Sequence, residues 1–164
     1  MGYTFPGHIG AQSLREDPNA MLRKLFAVPD HPAFASFALL LLRFVAGLAF
    51  MHHGWRKIQN PFGWMGPDGF APGFLQALAA LSEFGGGAAW ILGLFTPLAS
   101  LGIGATMAVA TWRHVFVRGD PFVGQDGSYE LASAFFCVAM VLFALGPGRF
   151  AFDKLLFGKR DSDV

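Results

Sequence analysis

Charge and cysteine are both scarce in this 164-residue chain. Only 14% of its residues are Asp, Glu, Lys or Arg, against 54% hydrophobic. A mean hydropathy of +0.45 is too apolar for a water-soluble core of ordinary composition. The bilayer is therefore the expected solvent. Net charge is +1 and the Lys and Arg residues form no long basic run, which removes nucleic acid from the expected partners. The single cysteine, Cys137, cannot close a disulfide within the chain. With no C-x-x-C there is no internal thiol relay and no cysteine metal clip. No metal is expected, and redox chemistry would need a bound cofactor or a protein partner. No cleavable leader is expected either, since Pro, Gly and charge interrupt the first 30 residues where a leader needs an unbroken apolar stretch. The first span is then expected to serve as the insertion signal.

What is abundant is apolar length. Four segments reach the ~20 residues that a ~30 Å hydrocarbon layer asks of a helix, at about 33–53, 74–95, 97–117 and 129–146. The expected fold is all-α: an integral membrane, antiparallel four-helix transmembrane bundle. Pro97 suits the first turn of the third helix, where its missing N–H costs nothing, so a tight hairpin should follow Phe95. The other connections, 60–73 and 118–128, are rich in Gly, Pro and Asp and read as ordered loops. Trp55, Trp64, Trp112 and Tyr129 fall near span ends, where amphipathic rings prefer to sit.

Before the first span, Asp17-Pro18 reads as a cap and first turn, with Met21, Leu22, Leu25 and Phe26 on one face beside Arg23 and Lys24. This predicts a short interfacial helix, with packing on the bundle as the alternative. The chain thus divides into a cytoplasmic N-terminal segment 1–32, the four-span region 33–146 and a cytoplasmic tail 147–164. Orientation follows from the basic residues. Arg15, Arg23, Lys24, Arg149, Lys154, Lys159 and Arg160 lie on the side of the termini, against Arg56, Lys57, Arg113 and Arg118 on the other. That bias predicts both termini in the cytoplasm.

Arg43 and Glu83 interrupt the first two spans at similar expected depths, roughly 15 and 14 Å inside the same membrane face. A lone charge at the bilayer centre costs at least ~2.5–3.5 kcal/mol, so the two are expected to pair. The pair would belong either to a ligand or proton site or to a bridge that fixes helix register. Arg43, Gly47, Phe50, Gly54 and Lys57 share one helical face, which should point inward. Gly85, Ala89 and Gly93 on the second helix, and Ser100, Gly104 and Ala108 on the third, make small-residue ridges for close packing. Cys137, Met107 and Met140 read as core fillers. His52, His53, Arg56, Lys57, Arg113, His114 and Glu130 all fall towards one rim, where Arg and Lys could hold oxygens and a His could carry a proton. Histidine pairs also ligate haem or zinc in bundles, but His53 and His114 have no distinctive spacing. For the long basic side chains, interfacial snorkelling is the alternative.

Taken in order, these residues resemble a known family. R-x3-G-x6-G-x2-K runs from Arg43 to Lys57, and E-x-GGG-A-x3-LGLFTPLA from Glu83 to Ala99. A third span then ends near His114, SYE opens the fourth, and GPGRFAFD closes from Gly146 to Asp153. The set resembles the DoxX family of small bacterial and archaeal membrane proteins over about 37–153. That resemblance implies a four-helix transmembrane bundle in the cytoplasmic (inner) membrane. It also implies kinship with the membrane subunit of thiosulfate:quinone oxidoreductase and with a membrane component of thiol and superoxide defence. The family pattern falls on Arg43, Gly47, Gly54, Lys57, Glu83, Gly86, Gly93, His114, Gly146, Gly148, Arg149 and Asp153.

The expected function is a membrane subunit of a quinone-linked or sulfur/thiol redox system. Arg43, Glu83, His53, Lys57 and His114 would bind substrate or quinone. Gly47, Gly54, Gly86, Gly93, Gly148, Arg149 and Asp153 would be structural. Besides the lipid bilayer, a protein partner or a homo-oligomer is expected. The alternatives are a non-catalytic scaffold or assembly partner, and a permease component for a small anion or hydrophobic acid.

Overall fold

A computed structural model describes Phe26 and residues 28–157, and among these residues there are helices and turns but no strand. Helix α1, Ala33–Ile58, starts after Pro32 and runs past the expected end at residue 53. Nothing in HHGWRKI stops it until Asn60, which precedes Pro61 and is therefore disfavoured in helical conformation. Helix α2, Gly73–Leu92, ends on Gly93 in the left-handed region, φ 66°. The Leu94 N–H bonds the Ala89 carbonyl and the Gly93 N–H that of Trp90, a Schellman closure. Helix α3, Thr96–Trp112, follows at once with Pro97 in its first turn. It continues as a π-helical stretch, Arg113–Arg118, and stops at Gly119, φ 67°. Helix α4 is Glu130–Leu145 and the short α5 is Phe152–Phe157.

Specific contacts set the register. A Cβ on Gly47 would touch the Gly87 carbonyl and Ile91, and one on Gly54 would touch Phe84, so α1 and α2 run antiparallel. Gly86 meets Ile103, and Trp90 Nε1 donates to Ser100 Oγ at 3.0 Å, so α2 and α3 do the same. Phe50 and Phe135 rings, 4.8 Å apart, bring α4 back to α1. The two loops lie at one end of the molecule. The α2–α3 turn, residues 28–32 and 146–157 lie at the other, called here the terminal end.

The core is small: Leu39, Phe50, Trp90, Ile103 and Leu142 with alanines. Most large apolar side chains point outward, including Phe34, Phe37, Leu41, Phe44 and Val45 on α1 alone. Two helices, α1 and α2, are long and apolar enough to cross a membrane, with mean hydropathies of 2.1 and 1.2, and only a third of each apolar window is buried. Such helices cannot be the interior of a water-soluble protein, since a continuous greasy exterior would aggregate in water. This is a membrane protein with its apolar side out.

Three packing expectations change. Cys137 and Met140 are exposed on the outside of α4, and only Met107 packs against the core. The buried small residues of α2 are Ala80, Gly86 and Gly87, followed by Gly93 at its cap, with Gly85 and Ala89 half-buried. A run of three glycines does not say which of them faces a neighbour. On α3, Ser100 and Gly104 are buried as expected, but Ala108 is exposed. The proposed interfacial helix lies outside the described residues except for Phe26. That ring is buried, packed edge-on to Phe95 and stacked on Phe157.

Candidate functional site

Buried polar residues divide between the two ends. At the terminal end, Arg43 is fully buried and its Nη2 donates to the Phe150 carbonyl at 2.6 Å. Asp153 is equally buried. Its carboxylate accepts the Phe95 N–H at 2.7 Å and the Thr96 N–H at 2.9 Å. It caps α3 from 57 residues away, a task that the apolar Phe95 side chain cannot perform. The Asp153 N–H returns to the Gly93 carbonyl at 2.9 Å. Gly93 cannot carry a side chain, because its φ is left-handed and a Cβ would strike Arg43 Nη1 and Ala151. Gly148, φ 79°, lies against Ser36, whereas Arg149 is exposed.

Arg43 and Glu83 do not pair. Glu83 is held by Lys57, whose Nζ lies 2.6 Å from both carboxylate oxygens. The cause is register: Gly54 faces Phe84, so Glu83 is level with the last turn of α1, about 18 Å of helix rise from Arg43. Depths counted from assumed span ends could not anticipate this, because α1 continues to Ile58 and α2 begins beyond it.

At the loop end, Lys57 Nζ also sits 4.5 Å from the centroid of the Trp64 ring, a favourable seat for an ammonium. Trp64 Nε1 donates to the Gln76 carbonyl. The buried Gln76 amide accepts from the Met65 N–H and donates to the Ala71 carbonyl. One glutamine thereby pins the 59–72 loop over the charge pair. Gln76 was visible as the lone amide of an apolar helix, and its role was missed.

Opposite, the π-helical stretch carries Arg113 and His114. π-helical turns recur at functional sites. Gly119 reverses the chain so that the Asp120 N–H bonds the His114 carbonyl, and Asp120 Oδ2 lies 2.6 Å from His114 Nδ1 and 3.1 Å from Arg118 Nε. Sequence reading missed Asp120, although a Gly-Asp pair just after a helix end marks such a return. With a proton on Nδ1 directed to Asp120, the ring keeps Nε2 for another partner. Arg113 stacks on Phe70, 3.8 Å from the ring centroid.

Two cavities meet here. A half-open chamber of about 300 Å³ is bounded by His53, Lys57, Glu83 and His114 on its polar side and by Phe50, Leu131 and Phe135 on its apolar side. A groove of about 870 Å³ runs along α2 and α3 from Phe95 to Arg118. Lys57, Glu83, Ala110 and His114 line both. Four of the five expected ligand-binding residues thus converge on the chamber, and Arg43 stands apart. Among the described residues, no three His, Cys, Asp or Glu side chains gather as metal ligands.

Comparison with known proteins gives one match. A family model described as DoxX matches residues 38–117, a span that takes in α1 from residue 38 onward, α2, α3 and His114. No curated protein matches the chain, and no solved structure does.

Proposed function

We propose, on the premise that this chain belongs to the DoxX family, that it is the ligand-binding membrane subunit of a quinone-linked or thiol redox system. In this reading all four long helices cross the cytoplasmic membrane, with both termini inside and the chamber towards the outer face. The observation that carries it is the junction of Lys57–Glu83 and His114–Asp120 on one small chamber. Two cationic or proton-bearing donors face a space walled by aromatic rings, which suits a ring that presents oxygens.

The residues divide the work. Lys57 donates to one ligand oxygen while Glu83 compensates its charge. His114, oriented through Nδ1 by Asp120, donates in its imidazolium form from Nε2–H to another ligand oxygen and can pass that proton to it. Phe50 and Phe135 keep water from the apolar side. A bound quinone would supply a two-electron carrier that takes up two protons on reduction. With one cysteine in the chain, the electrons come from a partner protein.

Purification in mild detergent with mass spectrometry of retained quinone tests the proposal. Lys57→Met and His114→Gln should lose quinone at normal membrane abundance, since an unmet buried partner costs ~1–3 kcal/mol. Full retention in both variants, or none in the parent protein, would favour the scaffold reading. For the topology, a periplasm-dependent reporter fused to the C-terminus should stay inactive.

A further inference from the structure

We infer that the chamber's ligand is an amphiphile with one long apolar chain, that this chain lies in the groove along α2 and α3, and that the molecule enters sideways from the bilayer. This rests on the reading of the chamber as a head-group site, and adds where the rest of the ligand goes.

The groove is open because its walls are small. Gly85, Ala89, Ala99 and Ala105 line it, and a Cβ on Gly85 would meet only Leu81 of its own helix. Its floor is closed, because α2 and α3 touch at Ser82 with Gly102 and at Gly86 with Ile103. It is therefore a trough on the lipid-facing surface. From Leu98 to Arg113 it follows α3 for about 22 Å, most of the ~30 Å thickness of a hydrocarbon layer. Its polar end is the chamber's own wall, Lys57, Glu83 and His114. A trough meant only for bulk lipid would have no reason to end on a part-buried ion pair shared with a second cavity. A head group at that junction reaches Lys57 and His114, and its chain has one continuous apolar surface to follow.

Menaquinone with a long prenyl chain and its tail-less parent menadione are suitable probes, each added to the protein in phosphatidylcholine nanodiscs and counted by mass spectrometry after washing. Two variants fill the trough without touching the charge pairs. In Gly85→Leu the new side chain would meet only the flexible end of Leu81, 3.2 Å from its Cβ, and Ala105→Phe replaces an exposed residue. Parent-like melting shows that they fold, and Ala105→Phe carries the test alone if Gly85→Leu does not. Both should weaken menaquinone retention about tenfold or more, the scale on which a changed apolar pocket discriminates, with menadione unaffected. Lys57→Met should lose both probes. Parent-level menaquinone in the filled variants would overturn the groove assignment and leave the chamber reading intact. So would loss of copurified phospholipid from them with no change in menaquinone. Failure of the parent to bind either probe would overturn the head-group reading and this inference with it.

Discussion

The two ends of this bundle hold charge in different ways. At the terminal end, Arg43 and Asp153 are fully buried, and the hydrogen bonds they make end on backbone, at the Phe150 carbonyl and the Phe95 and Thr96 N–H groups. At the loop end, Lys57 with Glu83 and His114 with Asp120 pair side chain to side chain, with about a quarter of the Lys57 and His114 side chains exposed. A charge fastened to backbone can be released only by undoing a turn, whereas a side-chain pair on a cavity can exchange partners. Intramembrane charge is read as function by default. Here the most deeply buried charge secures the fold, and the shallower pairs border the cavities.

The most severe test of that contrast is Asp153→Ala. It uncaps α3 and removes a carboxylate whose charge acts on Arg43 without pairing to it, and each backbone donor left unmet costs ~1–3 kcal/mol. Lower membrane abundance and a lower melting temperature in detergent would record it. Adding Arg43→Met should cost less than the sum of the single changes. Parent-like melting of Asp153→Ala would erase the distinction between the ends.

Gly54→Ala should rank next. Its Cβ would lie 2.5 Å from the Phe84 nitrogen and 2.8 Å from its Cα, backbone atoms that cannot swing away. Overpacking of this kind costs ~1–3 kcal/mol, and the forced separation of α1 from α2 draws Lys57 off Glu83. Melting and quinone retention should therefore fall together.

Glu83→Gln sharpens the comparison from the other side. Lys57 is partly exposed and can turn to water, so the stability loss should be only about 1 kcal/mol, while bound quinone disappears. A loss as large as that of Asp153→Ala would make the two ends alike.

The smallest effect belongs to the surface tie between Asp30 and Lys154 Nζ, 3.0 Å apart. The hydrogen bond from Lys154, and then its charge, holds the Asp30 carboxyl below the ordinary carboxylate value. A lowered carboxyl stabilises the fold above its unfolded value, and the contribution is lost as pH falls through the lowered one. Asp30→Asn should melt slightly below the parent at neutral pH, and the gap should close in acid.

Much of the scaffold was legible in the sequence. Spacing put Arg43, Gly47, Phe50, Gly54 and Lys57 on one inward face, and those residues are buried or half-buried. The tight turn expected after Phe95 falls slightly earlier, at residues 93–95, where Gly93 closes α2, while Pro97 sits in the first turn of α3 as proline chemistry predicts. The partnerships were not legible. Small residues say that helices can approach, but a run such as Gly85-Gly86-Gly87 leaves rotation and axial offset open. An error of a few turns in offset reassigns every charge pair, as it did for Glu83. Gln76, Asp120 and the capping action of Asp153 escaped for a related reason: each acts on backbone or side chains that sequence distance does not reveal.

Composition by itself pointed to lipid as the surroundings of this protein and to apolar helices as its elements, two of which reach membrane-spanning length among the described residues. Those follow from transfer free energies and from backbone hydrogen bonding, which depend on local sequence alone. Tertiary structure decided which carboxylate neutralises which cation, which end is locked, and that a chamber and a lipid-facing trough share a wall. These depend on the register between helices, set by contacts such as Gly54 on Phe84 and Gly47 on Gly87, and only the packed bundle defines that register.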